Sequence, residues 1–181
     1  MLGLTHHYEA RALVQAPMNE VFSYMDDPLR LSSHMSKSSW MMGGGQMEIE
    51  LDSGRGQNVG SRIRLAGKVF GIRLSVEEVV AERNPPHRKV WGTIGSPRLL
   101  AIGRYRMGFE VAPQGTGTLL RVHIDYALPE SAPARWFGYL LGRCYARWCA
   151  RRMVNDGVKH FALLSREQPI LSSSSPQRGI R

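Results

Sequence analysis

The sequence contains little cysteine: Cys144 and Cys149 are the only two among 181 residues. Five positions apart on a helix, their side chains would point about 140° away from each other, at roughly 100° per residue. This separation disfavours a disulfide between them. We therefore expect two packing thiols, with no metal site, no redox pair and no cofactor.

Long hydrophobic runs are also absent, since no stretch approaches the ~18–20 apolar residues that a membrane-spanning helix needs. Residues 1–14 contain Glu9 and Arg11 and no apolar run, so they do not resemble a signal peptide. The most apolar helical segment, near the C-terminus, is interrupted by several arginines. We expect a cytoplasmic protein.

Acidic residues are scarce: the sequence has 15 of them against 24 lysines and arginines, which gives a formal net charge of +9. Such an excess favours anionic partners, either a membrane surface or a nucleic acid. The basic residues are spread over predicted strands and a helix without aromatic stacking positions between them, so we do not expect nucleic-acid binding. The oligomeric state does not follow from the sequence.

Helices are indicated near the N-terminus, after a first strand predicted at Tyr8–Val14. Pro17 suits the first turn of a helix, where its missing N–H has no intrahelical partner to lose. The pair Asp27-Pro28 should end that helix, because a residue before proline disfavours helical geometry. A second short helix is predicted over residues 28–35.

The segment 36–46 is rich in glycine but lacks the surroundings of a phosphate-binding loop, which follows a strand and opens a helix. Here a strand follows the glycines instead. We interpret the segment as a connector at the mouth of a cavity, with Trp40, Met41 and Met42 at that mouth.

Apolar and polar residues alternate from Met47 to Tyr126, as in half-buried antiparallel strands. Turn signals such as Asn84-Pro85-Pro86 divide this region into six strands. After Pro129 the spacing becomes helical, and a helix is predicted from Ala132 to Ser165. The tail from residue 166 to 181 is rich in serine and poor in apolar residues, so we expect it to be disordered.

The predicted fold is α+β: a curved, seven-stranded antiparallel sheet wraps a long C-terminal helix, with two short helices between strands 1 and 2. A single domain would span residues 1–165. This element order resembles that of the START-like (SRPBCC) superfamily, which has the helix-grip fold and includes polyketide cyclases, pollen-allergen-like proteins and coenzyme-Q-binding proteins. The segments that carry the resemblance are Val14–Phe22, Gly60–Arg62, Val79–Pro86 and Gly117–Leu120, within a match from Tyr8 to Leu164. The resemblance implies a hydrophobic ligand held between the sheet and the C-terminal helix.

The residues on the apolar face of the strands, with three from the apolar stripe of the helix, are the candidate ligand contacts. They are Ile63, Leu65, Leu74, Val76, Trp91, Thr93, Tyr105, Met107, Phe109, Leu120, Val122, Ile124, Tyr126, Leu140, Leu141 and Cys144. We read this face as free of formal charge. A buried unpaired charge is costly, so we expect a largely apolar ligand, such as a lipid, quinone or polycyclic molecule, oriented by few polar groups.

An enzymatic alternative, a polyketide cyclase or dehydratase, is implied by the resemblance. Such an enzyme needs an acid or base aimed into the cavity. His34, near the predicted mouth, is the candidate, whereas alternation points His123 and Asp125 outward.

A basic ridge forms a third feature, because Arg143, Arg147 and Arg151 recur every four residues beside the apolar stripe of the helix. Basic side chains close to a membrane attract anionic lipid headgroups. The ridge therefore suggests a lipid-exchange protein that docks on an anionic membrane surface.

Overall fold

The computed structural model describes residues 3–31, 46–69, 71–130 and 132–171. Within them the chain forms seven strands and three helices. In chain order these are β1 (His6–Val14), α1 (Met18–Asp26), α2 (Pro28–Leu31), β2 (Gln46–Leu51), β3 (Arg62–Val69), β4 (Ile72–Asn84), β5 (Arg88–Arg98), β6 (Tyr105–Gln114), β7 (Gly117–Tyr126) and α3 (Ala132–Leu171).

The strands form one antiparallel sheet in the order β1-β7-β6-β5-β4-β3-β2. Strands β2 to β6 each pair with the next strand along the chain, and β1 pairs with β7 at the far edge. The concave face of the sheet holds α3, which contacts β1 and β7, while α1 packs on β6 and β7. The predicted helix-grip architecture is confirmed.

The hydrophobic core has two parts. The larger cluster lies between the sheet, α1 and α3, and includes Phe22, Phe109 and Met153. The smaller cluster lies on β3 and β4 and consists of Ile63, Leu65, Leu74 and Val76. Leu99 and Tyr105 pack against both clusters. Two separately packed clusters leave room for a cavity where they meet.

Buried charges fasten α1 to the sheet. The Lys89 ammonium lies 2.8 Å from Asp26 Oδ1 and donates to the Asp26 carbonyl oxygen at 2.7 Å. Arg83 donates from Nη2 to the same carboxylate at 2.8 Å. Burial lowers the pKa of Lys89, and the hydrogen bond and negative charge of Asp26 oppose that shift. The carboxylate thus compensates Lys89, which would otherwise be costly in the core, and also pairs with the partly exposed Arg83.

The buried face of α3 differs from the predicted stripe. Leu140 and Leu141 are 52% and 47% exposed, and Cys144 is exposed, so these three were assigned wrongly as ligand contacts. Among the described residues of α3 up to Val154, the buried ones instead carry small or slender side chains. They are Gly138, Gly142, Ala146, Cys149, Ala150, Met153 and Val154.

The small side chains at the start of this buried face are explained by the close approach of the α3 backbone to the backbone at Ala101. A Cβ atom at Gly142 would lie 2.7 Å from the Ala101 carbonyl oxygen, and one at Gly138 would lie 3.1 Å from the same atom. Only glycine fits where the start of α3 crosses the segment after β5. Leu140 and Leu141 are therefore left on the outside of this part of α3.

The end of α3 also differs from the prediction. The helix continues past Ser165 to Leu171, so residues 166–171 are helical rather than part of a disordered tail. Ser165 lies within the helix, and its hydroxyl donates to the Phe161 carbonyl oxygen at 2.9 Å, one helical turn back. Each further residue adds one backbone hydrogen bond to a helix already formed. Residues 172–181 lie outside the described ranges.

Candidate functional site

A cavity of about 90 Å³ lies where the two core clusters meet. Strands β2 to β7, the end of α2 and the middle of α3 contribute its wall. Seven residues of the wall were among the candidates from the sequence. They are Ile63, Leu65, Val76, Trp91, Tyr105, Met107 and Ile124.

The other strand candidates lie elsewhere in the core. Phe109, Leu120, Val122 and Tyr126 are buried in the larger cluster, away from the wall of the cavity. Leu74 lines a neighbouring groove. Thr93 is buried, and its hydroxyl oxygen accepts a hydrogen bond from the Tyr105 backbone N–H at 3.1 Å. It thereby holds β5 to β6 just beyond their last backbone pair, Gly92 with Arg106.

The expectation of an uncharged inward face was wrong. Glu78 and Lys89 are both buried and both line the cavity. Glu78 follows Leu74 and Val76 on the same face of β4, and Lys89 precedes Trp91 and Thr93 on β5. The period-two spacing of these strands was a signal that could have identified both residues.

Glu78 forms the polar centre of the cavity. Its carboxylate accepts a hydrogen bond from the Tyr105 hydroxyl. Burial raises the pKa of Glu78 from its ordinary 4.5 to about 7, although the Tyr105 hydrogen bond and the charge of Lys89 oppose the shift. Burial and the charge of Glu78 in turn raise the pKa of Tyr105 well above its ordinary value. Near neutral pH the carboxyl is therefore present in both protonation states, and the phenol is protonated.

Helix α3 adds Tyr145 and Cys149 on the opposite wall. The negative charge of an ionised Cys149 and burial raise the pKa of Tyr145 well above its ordinary value. Burial raises the pKa of Cys149 itself to about 12, so its thiol stays protonated and is a poor nucleophile. The groups available for hydrogen bonding or proton transfer are thus the carboxyl and two phenols.

Several predicted features lie outside this cavity. His34, Trp40, Met41 and Met42 fall in a segment beyond the described residues. Asp125 pairs with His7 at 2.6 Å, on the exposed side of the β1–β7 pair.

Neither a metal cluster nor a membrane span is found in the part of the chain that the structure describes. No three His, Cys, Asp or Glu side chains there are grouped so that they could hold a metal ion. No described helix combines the length and apolar character needed to cross a membrane.

The raised pKa of Glu78 predicts a pH-dependent stability. Between pH ~4.5 and ~7 the carboxyl ionises in the unfolded chain but stays neutral in the folded one, so the folded state loses stability as pH rises. A shift from 4.5 to about 7 corresponds to about 3 kcal/mol in the free energy of unfolding. Glu78→Gln, which has no charge to bury, should lack this loss. Urea unfolding at pH ~4.5 and ~8 measures the difference.

Glu82→Gln provides the control, because Glu82 is on the same strand and its side chain is 42% exposed. Its stability should follow that of the wild type at both pH values. Parallel pH profiles for the wild type and Glu78→Gln would contradict the assignment of a buried, titrating carboxyl.

Residues 5–162 match the family model described as "Polyketide cyclase / dehydrase and lipid transport". No curated protein sequence matches the chain.

Solved structures show the same fold. Norcoclaurine synthase from Thalictrum flavum is 14% identical with a TM-score of 0.59, over 85% of this chain and 84% of that one. Major latex-like protein 151 from Panax ginseng is 15% identical with a TM-score of 0.54, over 88% and 99% of the two chains. The di-domain ARO/CYC BexL from the BE-7585A biosynthetic pathway is 16% identical with a TM-score of 0.61, over 87% of this chain and 50% of that one.

At these identities the structural likeness concerns the fold alone, and the family assignment comes from the sequence match. That match runs from the residue before β1 into the last third of α3. The chain therefore belongs to the polyketide cyclase/dehydrase and lipid transport family, within the START-like superfamily that its sequence resembles.

Proposed function

We propose that the protein binds a largely apolar small molecule in the cavity between the sheet and α3, as a carrier or sensor of a lipid, quinone or polycyclic compound. The observation that carries the proposal is the hydrogen-bonded Glu78–Tyr105 pair, placed in a wall that is otherwise mostly aliphatic and aromatic. An apolar wall supplies affinity through burial, and a few convergent polar groups supply orientation.

The pair also indicates which polar group the ligand carries. A protonated Glu78 donates a hydrogen bond and an ionised one accepts, while the Tyr105 hydroxyl does either. A carbonyl or hydroxyl group on the ligand satisfies these partners, since neither brings a second charge into the cavity. A ligand with a carboxylate at this depth would repel ionised Glu78, so any charged part has to lie elsewhere.

Filling the cavity should weaken binding. Ile49 lines the cavity from the edge strand β2, where a larger side chain is tolerated better than in the packed centre. The uncharged fluorescent probe N-phenyl-1-naphthylamine would insert one ring and extend out of the cavity, and Ile49→Trp should weaken its binding by about tenfold or more. Fluorescence titration of the purified protein measures the affinity, with circular dichroism to verify the fold.

Leu13→Trp is the matched control, because Leu13 is 46% exposed on the opposite edge strand. It should bind the probe as the wild type does. A wild-type protein that binds no probe and yields no apolar compound on native mass spectrometry and organic extraction would refute the proposal.

A second candidate function is proton transfer on a bound substrate, as in a polyketide cyclase or dehydratase. The specific observation is the pKa of Glu78, about 7, which suits both acceptance and return of a proton at neutral pH. In an aldol cyclisation the carboxylate would take a proton from the carbon between two carbonyls. The enolate then attacks a third carbonyl carbon, and the protonated carboxyl returns the proton to the new alkoxide.

This candidate predicts a split between chemistry and binding. Glu78→Gln should lower the rate of cyclisation of a synthetic poly-β-ketone by about 10²–10⁴-fold with little change in its dissociation constant. Product is followed by absorbance and mass spectrometry. Wild-type rates equal to those in buffer, or an equally active Glu78→Gln variant, would exclude this chemistry for the substrate used.

Contact with an anionic membrane surface stays a prediction. Arg143 and Arg147 are exposed on α3, whereas Arg151 is partly engaged, since its Nε donates to the Tyr8 hydroxyl at 3.0 Å. One and two turns before Arg143 on the same side of the helix are Tyr139 and Trp136, 79% and 65% exposed. Aromatic rings beside basic side chains favour the membrane interface over bulk water.

Reversing the charge of the ridge should abolish that contact. The triple variant Arg143→Glu, Arg147→Glu, Arg151→Glu is compared with Arg55→Glu, Lys68→Glu, Arg106→Glu, which changes the net charge equally at exposed sites off α3. Only the first should lose sedimentation with vesicles containing phosphatidylserine. Equal sedimentation of both variants would show that net charge, not the ridge, is responsible.

A further inference from the structure

A basic groove adjoins the cavity at the end of the sheet where α3 begins. It has a volume of about 370 Å³ and lies between the start of β4, the end of β5 and the segment that leads to β6. Three arginines line it: Arg73, Arg98 and Arg104. Glu130 is the acidic residue in its lining.

The arginines of the groove are weakly neutralised. Among the described residues, Arg73 and Arg98 take part in no ion pair, and Arg104 Nε lies 3.8 Å from Glu130 Oε1. That distance is too long for a hydrogen bond, and the Glu130 side chain is 83% exposed. The Nε of Arg104 is nevertheless buried, with no hydrogen-bond partner in the described part of the chain. The Arg104 side chain as a whole is 41% exposed, so the remaining guanidinium N–H groups are the ones open to an anion in the groove.

Leu99 connects the groove to the cavity, because its side chain lines both. Leu74 and Leu100 add an apolar floor to the groove, and both belong to the smaller core cluster or pack against it. A molecule that extends past Leu99 therefore meets apolar surface first and guanidinium groups beyond it.

The small volume of the cavity also indicates that a ligand extends from it into the groove. At about 90 Å³ the cavity is smaller than the ~300–1,000 Å³ of ordinary ligand pockets. A ligand larger than a small ring must therefore extend out of it, and the groove at Leu99 offers both space and opposite charge.

We propose that the groove holds the anionic end of an amphiphilic ligand whose apolar part lies in the cavity. This inference rests on the proposed binding function and specifies the ligand as an acid, with a carboxylate at the end of an apolar chain or ring system. Guanidinium groups suit that end, since two parallel N–H donors match the two oxygens of a carboxylate. The polar pair Glu78–Tyr105 would then contact an uncharged group further along the ligand.

Matched probes test the charge requirement. Decanoate and 1-decanol both have ten carbons, and they differ in ending with a carboxylate or an uncharged hydroxyl group. Acetate carries the carboxylate without the long apolar chain. At low ionic strength the wild type should bind decanoate about tenfold more tightly than 1-decanol, the ratio expected of one charge-assisted interaction. Acetate should not bind measurably. Isothermal titration calorimetry gives the three affinities.

Two matched triple variants test whether the groove arginines cause the preference for the charged probe. Arg73→Gln, Arg98→Gln, Arg104→Gln should lose the preference for decanoate and keep the affinity for 1-decanol. The control, Arg55→Gln, Lys68→Gln, Arg106→Gln, removes three exposed charges elsewhere and should keep the preference. Circular dichroism verifies that both variants fold.

The outcomes separate the two proposals. Binding of decanoate and 1-decanol with equal affinity would overturn the anionic subsite while leaving the apolar cavity in place. Acetate binding as tightly as decanoate would also overturn it, because the groove would then be a site for free anions. Failure of both ten-carbon probes to bind would refute the cavity function on which the subsite rests.

Discussion

The buried pairing of Asp26 with Lys89 is the interaction on which the rest of the structure depends. Lys89 lies on a central strand of the sheet, and Asp26 ends α1, so their contact sets where α1 meets the concave face. Phe22, one turn earlier on α1, lies with its ring 5.4 Å from that of Phe109 and 5.7 Å from the Arg83 guanidinium. Removing one partner of such a pair leaves an uncompensated charge in the core, which typically costs about 3–5 kcal/mol.

Because of this pairing, the two buried ionisable residues of the cavity wall, Lys89 and Glu78, behave differently. Lys89 is hydrogen-bonded to the Asp26 carbonyl oxygen and paired with its carboxylate, so it contributes structure and a positive field. No ion pair of Glu78 is found among the described residues, and its carboxylate is hydrogen-bonded to a phenol, so burial dominates its pKa. Groups whose environments shift their pKa toward neutrality are common at functional sites. The chemistry available to this cavity therefore centres on Glu78.

The cavity and the groove form a polarity gradient from the inside of the molecule to its surface. Aliphatic and aromatic walls surround Glu78 and Tyr105, Leu99 separates the two spaces, and three arginines line the outer one. A gradient of this kind suits a molecule with an apolar body and a polar end. The exposed aromatic and basic side chains of α3 lie on the outer side of the helix, away from the sheet.

The sequence by itself determined the fold class, because period-two and helical spacing together prescribe which segments become strands and helices. It also contained the period-two spacing that turns Glu78 and Lys89 inward, but not the partners that make the burial of these two charges possible. Those partners, Asp26 and Tyr105, are 63 and 27 residues away along the chain. Only the tertiary structure decided that they meet. It also decided which stripe of α3 is buried, since the close approach of Ala101 admits Gly138 and Gly142 and leaves Leu140 outside.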